Sequence, residues 1–349
     1  FSDRAAKTSR DLGASISDYV SATADWARLG YGLPDAEELA RVSTLFANVG
    51  DGIENIADAS SYMISILKGF DLAADDAQKV ADLINEVANN EPASASDISE
   101  ILTRSGAALH EAGNDLSQAI SLGVAMNSVT QNAESTGQTL KTVSMYLRAA
   151  KTDLENMGES SDGCANSVSE LRSELKQLTG VDIMKDAAGT QFKSTYDILK
   201  EISEVWGSLT DVTRANVTEM LGGKRNANAV AAVLSQFEIA EKSMKDAANS
   251  AGSAAKENEV YLSSITGKLA QLDSAFQQLS QDLLDSSLIK FFVDFATAAV
   301  DIADGAVKAA GTLPTLTAAI SGVLSVMQMS GKLKNGAGKV NMPSYICCV

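Results

Sequence analysis

Histidine is almost missing: His110 is the only one in 349 residues. It is the side chain whose ordinary pKa lies nearest neutrality, and at position 110 it falls within a helical stretch, where a surface or packing role is expected. Cysteine is nearly as scarce, with Cys164, Cys347 and Cys348. No two of them have metal-ligand spacing, and adjacent Cys347 and Cys348 do not suit a disulfide, so a reduced, cytosolic origin is expected. A Cys164–His110 pair would depend wholly on an accident of the fold. Proline occurs at four positions only, Pro34, Pro92, Pro314 and Pro343, which lets long helices run unbroken. Aromatic residues make up 5%. Small aliphatic residues fill the apolar positions instead, which suits close helix packing better than sheets. No basic, apolar leader opens the chain. Its start at Phe1 and its end at "NMPSYICCV" read as cut edges of a longer protein.

Positive charge is also short. Lys and Arg total 28 against 45 Asp and Glu, a net charge of -17 with a pI near 4.5. Such a chain repels phosphates, so sequence-specific DNA or RNA binding is not expected. The acidity would suit a surface past which DNA slides without sticking, or it serves solubility alone.

What is present is helical periodicity with glycine punctuation. Ile16, Tyr19, Val20, Trp26 and Leu29 fall at helical intervals and lead to Gly30, read as a left-handed helix end. Pro34 suits the first turn of the next helix, with Asp35, Glu37 and Glu38 near its positive end. Leu39, Val42, Leu45, Phe46 and Val49 make its apolar face. The pattern returns at Ile64 and Leu67, then Gly69 and Leu72, followed by Asp75, Asp76, Val80, Leu83, Ile84 and Val87. A third joint sets Gly113 before Leu116, Ile120 and Val124. Three joints thus read Gly-x-x-Leu: Gly30–Leu33, Gly69–Leu72 and Gly113–Leu116. In each, the glycine is expected to turn the chain and the leucine to pack under the turn. Irregular spacing argues against a strict solenoid repeat.

The expected organisation is all-α: stacked helical hairpins followed by a long amphipathic helix with a heptad seam. Residues 1–155 form the hairpin region and polar "NMGESSDGCANS", 156–167, a linker. A middle helical region covers 168–255, with Val168, Leu171, Leu175 and Leu178 on a helix ending at Gly180. Tyr196, Ile198, Leu199, Ile202, Val205 and Trp206 line another. Residues 256–308 form the long amphipathic, coiled-coil region, 309–331 an uncharged hydrophobic segment and 332–349 a tail. Within the long region Leu262, Ile265, Leu269, Leu272, Phe276, Leu279 and Leu283 alternate steps of three and four. This seam is either one face inside a monomeric bundle or the contact of a self-associating coiled coil. The 309–331 segment has the length of a membrane span. Its threonines, serines and glycines make it weakly apolar, so a buried or membrane-active segment is expected rather than a stable span.

No reaction centre emerges. "LGGKRN" has the wrong glycine spacing for a phosphate loop and lacks the Ser or Thr after Lys224. Asp75 and Asp76 belong to a helix's first turn, where the dipole accounts for them. No calcium-loop or zinc motif occurs, so neither catalytic, cofactor-binding nor metal-binding residues are expected.

Several stretches carry a resemblance: "DWARLGYGLPDAEELARVSTLFANVG", "YMISILKGFDLAADDAQKVADLINEVANN", "TLKTVSMYLRAAK", "LTGVDIMKDAAGTQFKSTYDILKEISEVW", "GGKRNANAVAAVL" and "NSAGSAAKENEVYLSSI". In this order, from about residue 8 to residue 342, they resemble the core region of tape measure proteins of long-tailed phages and prophages of Gram-positive hosts. "GTLPTL" is similar to that family's lead into a hydrophobic region. The resemblance implies a helical, non-enzymatic protein, made in the host cytoplasm and housed in the lumen of the virion tail. There it would set tail length, leave on infection and help DNA cross the host membrane. It implies tail tube protein, distal tail protein and tail assembly chaperones as partners; the seam adds the expectation of a homo-oligomer, and no cofactor is expected. The competing expectation is a membrane-acting helical pore former, supported by 309–331 beside the amphipathic stretch 286–304.

Overall fold

The computed structural model describes residues 1–158 and 160–281, and the described chain is all-α. Helices run from α1 (Ser2–Leu12) and α2 (Ile16–Arg28) to α3 (Leu33–Val49) and α4 (Ile56–Gly69). A 3₁₀ turn at Ala74–Asp76 leads into α5 (Ala77–Asn90), then α6 (Ala95–Glu111), α7 (Leu116–Thr130) and α8 (Ala133–Tyr146). Next come α9 (Lys151–Asn156), α10 (Val168–Thr179), α11 (Thr195–Trp206), α12 (Asp211–Ser235) and α13 (Phe237–Ala248). The described part closes with α14 (Ser253–Ser263) and α15 (Ile265–Gln281). Residues 1–278 form one compact unit.

Local chemistry starts most of these helices. Ser15, Asn55, Asn132, Ser167, Ser194 and Thr210 each accept the amide three residues on. Ser94 with Asp97 and Asp115 with Gln118 close reciprocal capping boxes. Each cap satisfies a donor that the helix's first turn leaves without a partner.

Packing centres on α6 and α7. Every residue from Ala119 to Asn127 of α7 is buried, so this helix has neighbours all round rather than one apolar stripe. On α6, buried Ser99 and Ser105 return their hydroxyls to the carbonyls of Ala95 and Ile101, each at 2.7 Å, so neither hydroxyl is left without an acceptor. Glycines set the close approaches. A Cβ on Gly137 of α8 would lie 2.9 Å from Arg104 Cβ and 3.0 Å from the Ile101 carbonyl of α6.

The three Gly-x-x-Leu joints separate into different structures. Gly30 and Gly113 have φ of 95° and 80°, as expected of left-handed helix ends. At Gly113 the amide bonds back to His110 O at 2.8 Å, and Asn114 N reaches Leu109 O at 3.0 Å. These are the paired bonds of a Schellman cap. Gly69 departs from the expectation, because it closes α4 in helical geometry and the left-handed residue is Asp71, with φ 52°. The same paired bonds appear there, Leu72 N to Leu67 O and Asp71 N to Lys68 O. Gly69 is needed instead for contact: a Cβ there would meet Ala107 N of α6 at 3.3 Å. The leucines differ too. Leu116 is buried and Leu72 half-buried, but Leu33 is 47% exposed at the first position of α3 and packs under nothing.

Asp71→Gly is therefore expected to raise stability by about 1 kcal/mol, since a side chain resists the left-handed region. Gly69→Val should lower it by forcing α4 off the α6 backbone. Chemical denaturation of both variants checks this. A loss at Asp71→Gly would show that its carboxylate matters more than its φ.

Two further expectations change. The 156–167 stretch is a connection within the compact unit, not a border between two: Cys164 and Leu154 pack on Tyr146, and the Tyr146 hydroxyl lies 3.0 Å from the carbonyls of both Ser160 and Asp162. The region from 256 is not one helix, because Ser264 adopts extended geometry, φ -69° and ψ 165°, between α14 and α15. Leu262 therefore lies on α14, and Ile265, Leu269 and Leu272 on α15. The seam's Phe276 and Leu279 are also α15 positions, whereas Leu283, the 309–331 segment and the 332–349 tail lie outside the described residues.

Candidate functional surface

Residues with chemical potential are scattered and already occupied. His110 is exposed at the end of α6, its ring edge-on to Phe70 at 5.8 Å between centroids. Cys164 is buried, and burial pushes its thiol pKa up, away from thiolate reactivity. Among the described residues no group of three or more His, Cys, Asp or Glu could hold a metal ion.

The "LGGKRN" stretch forms a kink inside α12. Gly223 has φ 70° and ψ 172°, a conformation essentially confined to glycine. The kink is pinned from outside. A Cβ on Gly223 would lie 2.9 Å from the Tyr146 hydroxyl and 3.0 Å from the Asp162 carbonyl, while Gly163 lies against Glu219 and Gly223. Lys224 has Glu219 and Asp162 carboxylates at 3.5 and 3.9 Å. Its charge is locally balanced, which is the opposite of what a phosphate loop presents.

Two polar constructions hold distant segments together. The first fastens α14 to α5 and α3. Asp82, only 6% exposed, accepts the amides of Gly252 and Ala254, each at 3.0 Å, and so caps α14 from 170 residues away. Ser253 accepts from Asn85 at 2.9 Å and donates to Glu86 at 2.7 Å. Asn48 of α3 donates to Asn258 at 2.9 Å and to the Leu12 carbonyl at 2.6 Å. Only Ala254 and Asn258 of α14 are buried, so hydrogen bonds rather than apolar area secure this helix.

The second is Arg148. It donates to the carbonyls of Ala112, at the C-terminus of α6, and of Lys193, and it stacks 4.2 Å over the Phe192 ring. Burial lowers its pKa to about 10. The guanidinium thereby ties the end of α6 to residues 183–193. There Met184 and Phe192 face each other across an antiparallel bridge. Beside them Asp182 accepts two bonds from Arg172 and one from Lys176, and the guanidinium holds its carboxyl well below the usual carboxylate range. Sequence reading missed Asp82, Arg148 and Asp182 because each acts on a segment that the chain pattern around it does not indicate.

Of the seam residues with described side chains, Leu262 on α14 lies against Gly13 in the α1–α2 turn, while those on α15 are less enclosed. Leu269 is 40% exposed and Leu272 half-buried. Among the described side chains of α15, Gly267 and Ser274 are buried and Gln271 lies against Gly13, and the Ser274 hydroxyl donates to the Ala14 carbonyl.

Caps, polar ties and glycine contacts join the described helices into an all-α bundle. Residues 2–223, from α1 to the kink in α12, match the family described as phage-related minor tail protein, and the chain belongs to that family. The chain is also 23% identical over 296 residues to a probable tape measure protein of Halomonas phage phiHAP-1. The alignment covers 80% of this chain and 32% of that relative, so the chain spans about a third of the relative's length. Halomonas is a Gram-negative host, so this comparison lends nothing to a Gram-positive one. No solved structure matches the chain.

Proposed function

We propose that this phage tail protein is the core segment of a tape measure protein, which sets tail length from inside the tail tube. The similarity to a probable tape measure protein over 80% of the chain carries the reading. Its partners would be further copies of itself through the Leu262–Leu283 seam, the tail tube and distal tail proteins, and the tail assembly chaperones. Made in the host cytoplasm, it would leave the tail lumen on infection and assist DNA passage across the host membrane.

The ruler mechanism requires a change of shape. A unit of 278 residues has a radius of gyration of about 19 Å when compact. As a continuous helix it would measure about 420 Å. In this reading the bundle is the free form and the helices unstack end to end in the tube. No described helix is long and apolar enough to cross a membrane, and 309–331 lies outside the described residues, so no structural observation favours the pore-forming alternative.

The test is tail length. In-frame deletion of residues 33–69 within the phage gene should shorten tails by about 55 Å, and duplication should lengthen them equally. Tails of unchanged length from both would overturn the ruler role of this segment. Passage of DNA past the protein requires little adhesion. Duplex DNA at physiological salt should not be retained by micromolar protein, as its net charge of -17 demands. Tight, salt-sensitive retention in a filter-binding assay would contradict that.

A further inference from the structure

The described part of α15 docks on the bundle by the face a coiled coil would leave outermost. In the heptad set by the leucines, Leu262, Leu269 and position 276 are a, and 265, Leu272 and 279 are d. Gly267 and Ser274 then fall at f and Gln271 at c, directly opposite the seam. These three are the residues against the α1–α2 turn: Gly267 O and Gln271 Cγ would lie 3.4 and 3.5 Å from a Cβ on Gly13, and Ser274 donates to Ala14 O. Of the stripe on α15, Leu269 is 40% exposed and Leu272 half-buried. Small and polar residues of α15 thus make this intramolecular contact, while Leu269 stays exposed.

The corner at Ser264 splits this stripe. Ser264 accepts the Gly267 amide at 3.1 Å, which starts α15 afresh. Leu262 is turned onto Gly13, its Cδ2 3.0 Å from where a Cβ there would stand. The corner depends on glycine. A Cβ on Gly267 would run into the Tyr261 carbonyl oxygen and come within 2.7 Å of Leu262 Cα. In a straight helix from 253 to 281 the same position would face solvent, where alanine is better than glycine. Straightening would also bring Leu262 into line three residues before position 265.

We propose that the α14–α15 corner is a latch that opens into one helix, completing the seam for parallel pairing with a second copy of this chain. α14 stays tied by Asp82, Asn85 and Asn48, and α15 swings off the Gly13–Ala14 turn. Charge selects the partner and its direction. Exposed Lys268 falls at g and exposed Asp273 at the following e, so in a parallel pair each Lys268 meets the other copy's Asp273. An antiparallel arrangement lacks that match. The proposal rests on the seam reading above, and tail length in the virion reports the ruler role independently.

The test uses the full chain with Cys347→Ser and Cys348→Ser, and spin labels at Ser21→Cys on α2 and Ala270→Cys at a b position of α15. The parent should show one short label distance and sediment mainly as monomer. Gly267→Ala should shift that distance to longer values and move the chain to a dimer or higher species. Adding Leu272→Lys should restore the monomer while the long distance persists. Lys268→Asp should weaken association of the Gly267→Ala chain at least tenfold, and adding Asp273→Lys should recover it. An unchanged label distance in Gly267→Ala, with only a lower melting temperature, overturns the latch. A long distance without association overturns pairing with a second copy. Failure of the double charge reversal to recover association overturns the parallel arrangement.

Discussion

Gly223→Ala should destabilise the fold by about 3–4 kcal/mol, the largest loss expected from any single glycine substitution between the Tyr146 loop and α12. Two costs add. The backbone at φ 70° and ψ 172° lies outside what a side chain tolerates, worth about 1–3 kcal/mol. The new Cβ would also sit 2.9 Å from the Tyr146 hydroxyl and 3.0 Å from a backbone carbonyl, and overpacking of that kind costs about 1–3 kcal/mol. Gly180→Ala separates the two costs. Gly180 has φ 79° but open space around it, so alanine there should cost only about 1 kcal/mol. Urea denaturation of both variants decides the matter. Equal losses would mean that the kink is not held by the Tyr146 loop.

Asp82→Ala should cost about 3 kcal/mol, because it removes the shared acceptor of the Gly252 amide and of the buried Ala254 amide. The effect should be uneven along the chain. α14 buries little apolar surface of its own, so it should loosen before the bundle does. Hydrogen exchange should accelerate over residues 250–263 while α6 and α7 keep their protection. Uniform acceleration would instead show that α14 unfolds only with the whole unit. Asn85→Ala, which removes one neutral bond to Ser253 at 2.9 Å, should give the same pattern at about a third of the size.

These two positions mark what a chain pattern can and cannot convey. Caps are written within three or four residues, as at Ser94–Asp97 and Asp115–Gln118, so helix starts are legible. Asp82 caps a helix too, but that helix begins 171 residues later, at Ser253. Nothing in "KVADLINEVANN" distinguishes Asp82 from a solvated carboxylate. At "LGGKRN" the structure shows a kink at Gly223 inside α12. Which of the two glycines kinks depends on where Tyr146 and the Asp162 carbonyl arrive.

By itself the sequence determined the all-α class, the first turn of α3 at Pro34, the left-handed ends at Gly30 and Gly113, the acidic charge and the scarcity of histidine and cysteine. Each of these follows from side-chain period, capping or composition, which act over one or two helical turns. Tertiary structure alone decided that Gly69 is a contact glycine while Asp71 turns the chain, and that 156–167 joins rather than divides. It also decided that α15 meets the α1–α2 turn by Gly267, Gln271 and Ser274 with Leu269 exposed. The physical reason is the same in each case. Steric room beside a glycine, the partner of a buried carboxylate and the buried face of a helix are properties of two surfaces, and only one of the two is written in the local stretch of chain.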